Sequence, residues 1–119
     1  MAIIRKELDC ECCGANDCDD NLITMLNDAQ ALASEYADRY VVFNINSGYR
    51  CEMCNQSVGG SPTSSHMTGY AADIAVGNSV DRLYMIKGLF DAGFERVGVY
   101  STFIHADVDP TKSPACWYG

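Results

Sequence analysis

The chain has two histidines, and each sits in a stretch that also carries a carboxylate. His66 opens the run His66-Met67-Thr68-Gly69-Tyr70-Ala71-Ala72-Asp73, and His105 lies in Phe103-Ile104-His105-Ala106-Asp107. Two imidazoles and a carboxylate, His66, Asp73 and His105, form a sound donor set for zinc, and three protein ligands leave a fourth position for water. That open position separates a catalytic site from a closed structural one. Spacing constrains the backbone. The step from His66 to Asp73 would span about 10 Å on a helix or about 23 Å on a strand, whereas zinc bonds are about 2 Å long. The chain must therefore bend between the two, and Gly69 is where it can. The plainer reading is that both histidines are ordinary core or surface residues and that Asp73 serves a turn. Chemistry and spacing alone leave both readings open.

The elements that must position these residues follow from periodicity. Leu22, Met25, Leu26, Ala29, Leu32, Ala33 and Tyr36 recur at helical spacing behind Asp19 or Asp20, predicting an amphipathic helix over 20–38. Val41 to Ile45 is β-branched and aromatic and predicts a strand. Residues 51–57 suit one or two helical turns, and Gly59-Gly60-Ser61-Pro62 breaks any regular element. Ala71 to Val76 reads as a short buried strand carrying Asp73. Ser79 is placed to cap a second helix over 80–91, with Leu83, Ile86, Leu89 and Phe90 toward the core and Gly93 stopping it. Glu95–Tyr100 and Phe103–Val108 read as two further strands, and the tail from Pro110 as irregular. This order of helices and short strands predicts an α+β domain with a mainly antiparallel sheet and two main helices.

The 119 residues suit a single domain, with a Cys-rich segment over 1–19 and a core over 20–119. No apolar run approaches the roughly 18 residues of a membrane span. The charged start, Met1-Ala2-Ile3-Ile4-Arg5-Lys6, lacks the apolar stretch of a secretory signal. A net charge of −8 repels phosphates and argues against nucleic-acid partners. Seven cysteines are many for this length. Cys10, Cys12, Cys13 and Cys18 form one group, Cys51 and Cys54 another, and Cys116 stands alone; the odd count leaves at least one thiol outside intramolecular disulfides. Disulfides, a second zinc held by Cys10, Cys12 or Cys13 with Cys51 and Cys54, and free thiols are all open readings.

A wider pattern joins these pieces. Ser47-Gly48-Tyr49-Arg50, Asn55, Val58-Gly59-Gly60, Ser64-Ser65-His66, the Gly-x-Ala-x-Asp ending at Asp73, and Phe103-Ile104-His105-Ala106-Asp107 occur in this order. Together they resemble the zinc D-alanyl-D-alanine carboxypeptidase and peptidoglycan endopeptidase family, which shares its metal-site fold with the hedgehog signalling domain. The cysteine-rich start resembles the short phage and bacterial members. The resemblance implies one zinc on His66, Asp73 and His105, with Arg50 and Ser64 at the substrate. A guanidinium suits a peptide carboxylate because its planar fork binds both oxygens; a structural ion pair is the other reading of Arg50, and an ordinary loop serine that of Ser64. Many members carry an acid three positions before the last histidine, where this chain has Thr102. Asp107 is the nearest carboxylate, on the same strand face as His105. It is the candidate catalytic base, or else it orients a ligand or pairs with an arginine.

These expectations describe a monomeric hydrolase of peptidoglycan stem peptides or cross-links. Such an enzyme would be made in the cytoplasm and act on the wall after phage lysis or non-signal export. A hedgehog-like zinc-binding module without catalysis is the competing reading, favoured by Thr102. A redox or metal-storage protein built on the cysteines is a third.

Overall fold

Alternation along the strands decides which side of the sheet is core. The computed structural model describes residues 2–119, so Met1, the first residue of the expected domain, lies outside it. Five strands form one sheet: β1 (Ile45–Ser47), β2 (Ala71–Ala75), β3 (Arg96–Val99), β4 (Phe103–Asp107) and β5 (Ala115–Tyr118). Their order is β1-β2-β4-β3-β5, antiparallel throughout except for the parallel β3–β5 pair. Ala72, Ile74, Val97, Ile104 and Ala106 alternate onto one face and are fully buried. Against that core lie α1 (Asp20–Ala37) and α3 (Ser79–Asp91). Asp73, Arg96, His105 and Asp107 occupy the alternate positions and therefore project from the opposite face. The domain is a compact α+β unit, and no helix among its described residues is long and apolar enough to cross a membrane.

Several local expectations hold and some change. The helix expected over 20–38 is α1, whose buried Leu22, Leu26, Ala29 and Ala33 share a stripe. The short helix expected over 51–57 is α2 (Glu52–Ser57). The strand expected over Val41–Ile45 begins only at Ile45. Val41 and Phe43 are buried, but their N–H groups donate to the side chains of Ser34 and Gln30 at 2.9 Å each, so helix α1 takes the donors a strand partner would use. In α3 the capping residue is Asn78, whose side chain accepts from the Asp81 N–H at 2.8 Å. Leu83 and Phe90, expected in the core, are 61% and 41% exposed. Met85, Gly88 and Leu89 are the buried positions of that helix.

The largest change is at the end of the chain. The tail expected to be irregular supplies β5, which pairs with the otherwise open edge of β3. The Cys-rich N-terminal segment forms a 3₁₀ turn over Arg5–Leu8. Leu8 enters the core, and its carbonyl accepts the Tyr49 N–H at 2.8 Å. A disulfide joins Cys12 to Cys54, and Cys10, Cys13, Cys18, Cys51 and Cys116 are free thiols.

Candidate active site

Register brings the site together. In the antiparallel β2–β4 pair Asp73 lies directly opposite His105, and in β3–β4 Gly98 lies opposite His105. The β3–β5 pair then sets Trp117 beside Gly98. One row across the sheet thus reads Asp73, His105, Gly98, Trp117. The next row reads Ala71, Asp107, Arg96, Ala115. His66 comes from outside the sheet, on the loop before β2. That loop turns at Gly69, whose φ of +83° is left-handed and where a Cβ would lie 2.0 Å from the Asp17 carbonyl oxygen. The bend anticipated from spacing is therefore at this glycine.

The three expected metal ligands converge. One donor atom from each of His66, Asp73 and His105 lies within 4.8 Å of the other two. Asp73 Oδ1 is 3.3 Å from His66 Nε2 and 3.0 Å from His105 Nδ1. A tetrahedral zinc with bonds of about 2.0–2.1 Å spaces its ligand atoms about 3.3 Å apart, so these residues suit the ion. Each imidazole is held through its other nitrogen. His66 Nδ1 donates to the Gly48 carbonyl at 2.7 Å, and His105 Nε2 donates to Asp107 Oδ2 at 2.7 Å. These bonds fix the tautomers that turn His66 Nε2 and His105 Nδ1 toward Asp73.

Electrostatics follow from this wiring. Burial pushes the Asp73 carboxyl up, but the facing imidazoles of His105 and His66 outweigh it and hold it well below the usual carboxylate range. Burial alone would lower the pKa of His105; Asp107 and Asp73 outweigh it and raise the imidazole above its ordinary value. Asp107 is 1% exposed. Burial pushes it up, while His105, the Asp109 N–H and Arg96 bring it below its ordinary value. Both of its oxygens are engaged: Oδ2 by His105, Oδ1 by Arg96 Nε at 2.9 Å and by the Asp109 N–H at 3.2 Å.

A cleft of about 490 Å³ opens over the ligands, lined among others by Arg50, Ser64, His66, Asp73, His105 and Trp117. Arg50 is held at its backbone, where its N–H donates to the His66 carbonyl at 3.0 Å. Its guanidinium makes no hydrogen bond or ion pair among the described residues, and its Nε is buried without a partner. Ser64 lines the cleft and its hydroxyl accepts from the His66 N–H at 3.2 Å. Asn55 is buried and donates to the Ser61 carbonyl at 2.8 Å, holding the loop at the cleft's edge. Thr102 lies exposed in the turn before β4. Asp73 and Asp107 are the only carboxylates among the described residues that line the cleft; Asp109 and Glu95 border a separate hollow.

Sequence reasoning passed over Trp117, Tyr100 and Arg96. The Trp117 ring sits 5.5 Å from His105, its Nε1 donates to the Tyr100 hydroxyl at 2.8 Å, and Tyr100 stacks on Phe103 at 4.4 Å. Arg96 lies 5.1 Å from the Trp117 ring and bonds Asp107. The available signal was that Trp117 is the chain's only tryptophan, inside the strand-forming run Ala115-Cys116-Trp117-Tyr118.

Fold and donor set together define a class: a small α+β domain with a metallopeptidase-type His–Asp–His triad on the open face of its sheet. The chain belongs to the Peptidase M15 family, whose pattern matches residues 2–107. A stretch of 57 residues is 39% identical to the zinc D-Ala-D-Ala carboxypeptidase of Streptomyces albus G, covering 48% of this chain and 21% of that enzyme. The match thus spans about a fifth of that relative's length.

Proposed function

We propose that this chain is a zinc-dependent peptidase that hydrolyses D-alanine-containing peptide bonds of bacterial peptidoglycan, in wall lysis or remodelling. The observation that carries the reading is the Arg50 guanidinium, unpartnered among the described residues, lining the same cleft as His66, Asp73 and His105. Arg50 is half-buried at the cleft with a buried Nε that lacks an acceptor, and a peptide carboxylate bound through Nε and a terminal nitrogen would supply one. Zinc, when bound, supplies a Lewis acid for the scissile carbonyl and an activated water. His66, Asp73 and His105 hold the ion. Asp107 keeps His105 in the tautomer that offers Nδ1, since both of its oxygens are engaged by His105, Arg96 and the Asp109 N–H. Ser64 lies at the same cleft and contributes a polar contact to the peptide. Trp117, Tyr100 and Phe103 form an apolar wall that shields the reacting bond from bulk water.

The test is digestion of purified cell wall with mass spectrometry of the released fragments, run with chelator and after zinc restoration. Metal-dependent cleavage next to D-alanine is expected, and its absence from the zinc-loaded protein would sink the proposal. His66→Ala and His105→Ala should each lose stoichiometric zinc by elemental analysis. Either variant retaining both zinc and activity would overturn the ligand assignment. One observation favours a second reading, a metal-holding module without catalysis: among the described residues the cleft has no carboxylate with a free oxygen beyond the metal triad. Full zinc with no wall digestion would support it.

A further inference from the structure

Five of the seven cysteines meet at one place. The sulfurs of Cys10, Cys13 and Cys51 lie within 4.8 Å of one another, as do those of Cys10, Cys12 and Cys54. Two of the contributing segments have the same spacing, Cys10-Glu11-Cys12-Cys13 and Cys51-Glu52-Met53-Cys54. Paired C-x-x-C turns are the donor arrangement of structural zinc, in which bonds of about 2.3 Å bring four sulfurs to one ion. Backbone N–H groups already point at the sulfurs: Cys51 N–H donates to Cys10 Sγ and Cys54 N–H to Cys51 Sγ, each at 3.4 Å. Such bonds stabilise thiolate over thiol. Cys10 and Cys54 are buried while Cys13 is exposed, so the cluster is sheltered yet reachable by an ion.

A disulfide framework serves this cluster poorly. The Cys12–Cys54 bond uses two of the five sulfurs and leaves three thiols crowded together. A metal ion satisfies four sulfurs at once. We propose that the cluster is a second, structural metal site that takes zinc through Cys10, Cys13, Cys51 and Cys54. Cys54 becomes available when the Cys12–Cys54 disulfide is opened by a dithiol reductant. The reductant supplies two electrons and two protons, the S–S bond breaks to two thiols, and the reductant closes to its own disulfide. Four Zn–S bonds then form as the four thiol protons leave to solvent. Cys12 stays a free thiol. The site's role is positional. It clamps the N-terminal segment to the start of α2, one residue after Arg50, beside the Leu8–Tyr49 backbone bond. It therefore braces the Arg50 loop independently of what the His–Asp–His site cleaves.

The full chain, reduced with dithiothreitol, freed of reductant without air and loaded with zinc, should hold two zinc ions by elemental analysis. His66→Ala should keep one, Cys13→Ser and Cys51→Ser should each keep one, and Cys12→Ser should keep two. Cobalt loading should give a thiolate-to-metal charge-transfer band that persists in His66→Ala and vanishes in Cys51→Ser. Should a serine variant fail to fold, alkylation of the wild type decides: zinc should protect Cys10, Cys13, Cys51 and Cys54 and leave Cys12 reactive. One zinc in the reduced wild type, or alkylation of all five thiols unaffected by zinc, overturns the site. Loss of the second ion in Cys12→Ser but not in a Cys54→Ser variant overturns the ligand assignment. Failure here leaves the His66→Ala and wall-digestion results untouched, so the two proposals fail separately.

Discussion

Arg50 and Asp107 are oppositely charged residues on one cleft that use their charges in opposite ways. Arg50 makes no side-chain hydrogen bond or ion pair among the described residues, which is what the proposed contact with a substrate carboxylate requires. Arg50→Lys keeps the charge and loses the planar fork. A charge-assisted hydrogen bond contributes about 1.5–3 kcal/mol, which corresponds to about a ten- to hundredfold fall in kcat/KM. Zinc content should not change; wild-type kinetics would remove Arg50 from substrate recognition. Asp107 spends both oxygens on His105 and Arg96. Asp107→Asn should therefore weaken zinc binding about 10- to 100-fold, read by competition with a chelator. Unchanged affinity with kcat down by about 10²–10⁴ would instead make Asp107 the catalytic base.

At the scale of elements, the row Asp73–His105–Gly98–Trp117 depends on one small residue. A Cβ on Gly98 would lie 2.5 Å from the Trp117 ring. Only glycine lets β5 lay its indole across β3 beside His105. Gly98→Ala should push Trp117 off the row and destabilise the fold by about 1–3 kcal/mol, the usual cost of overpacking. Trp117 is the only tryptophan, so its fluorescence reports the displacement directly. An unchanged emission spectrum and melting temperature would mean that the β3–β5 pairing does not constrain this ring.

The whole molecule is closed by Asp109, a buried carboxylate between the loop before His66 and the loop after β4. It accepts from the Ser65 hydroxyl at 2.7 Å and from the N–H and hydroxyl of Thr111 at 3.0 and 2.7 Å. Burial pushes its pKa up, but these bonds outweigh burial and hold it below the ordinary value. A carboxyl with a depressed native pKa contributes stability that is complete above its unfolded pKa of about 3.9. That contribution is lost as pH falls from there through the native value. Wild type should therefore be more stable than Asp109→Asn at pH 6, by about 2 kcal/mol, and the difference should shrink progressively below about pH 4. Denaturant melts at both pH values check it. A pH-independent difference would mean that the ionised form is not what the site rewards.

Much of this molecule was legible locally. The helical spacing of Leu22, Leu26, Ala29 and Ala33 determines α1, and alternation around Asp73 and His105 determines β2 and β4, because side-chain period follows directly from backbone geometry. That His66, Asp73 and His105 come together was legible from donor chemistry and from the motifs around them. Other features rest on pairings between distant residues, which no local window contains. The N–H groups of Val41 and Phe43 donate to α1 side chains, α3 turns Met85 inward and Leu83 outward, and four tail residues become a strand because β3 has an open edge. The same holds at the site. Sequence determined that His66, Asp73, His105, Arg50 and Asp107 could do chemistry. Only the tertiary structure decided that Asp107 is occupied by His105 and Arg96 while the Arg50 side chain has no partner among the described residues, since a charge's partner is set by three-dimensional proximity and burial.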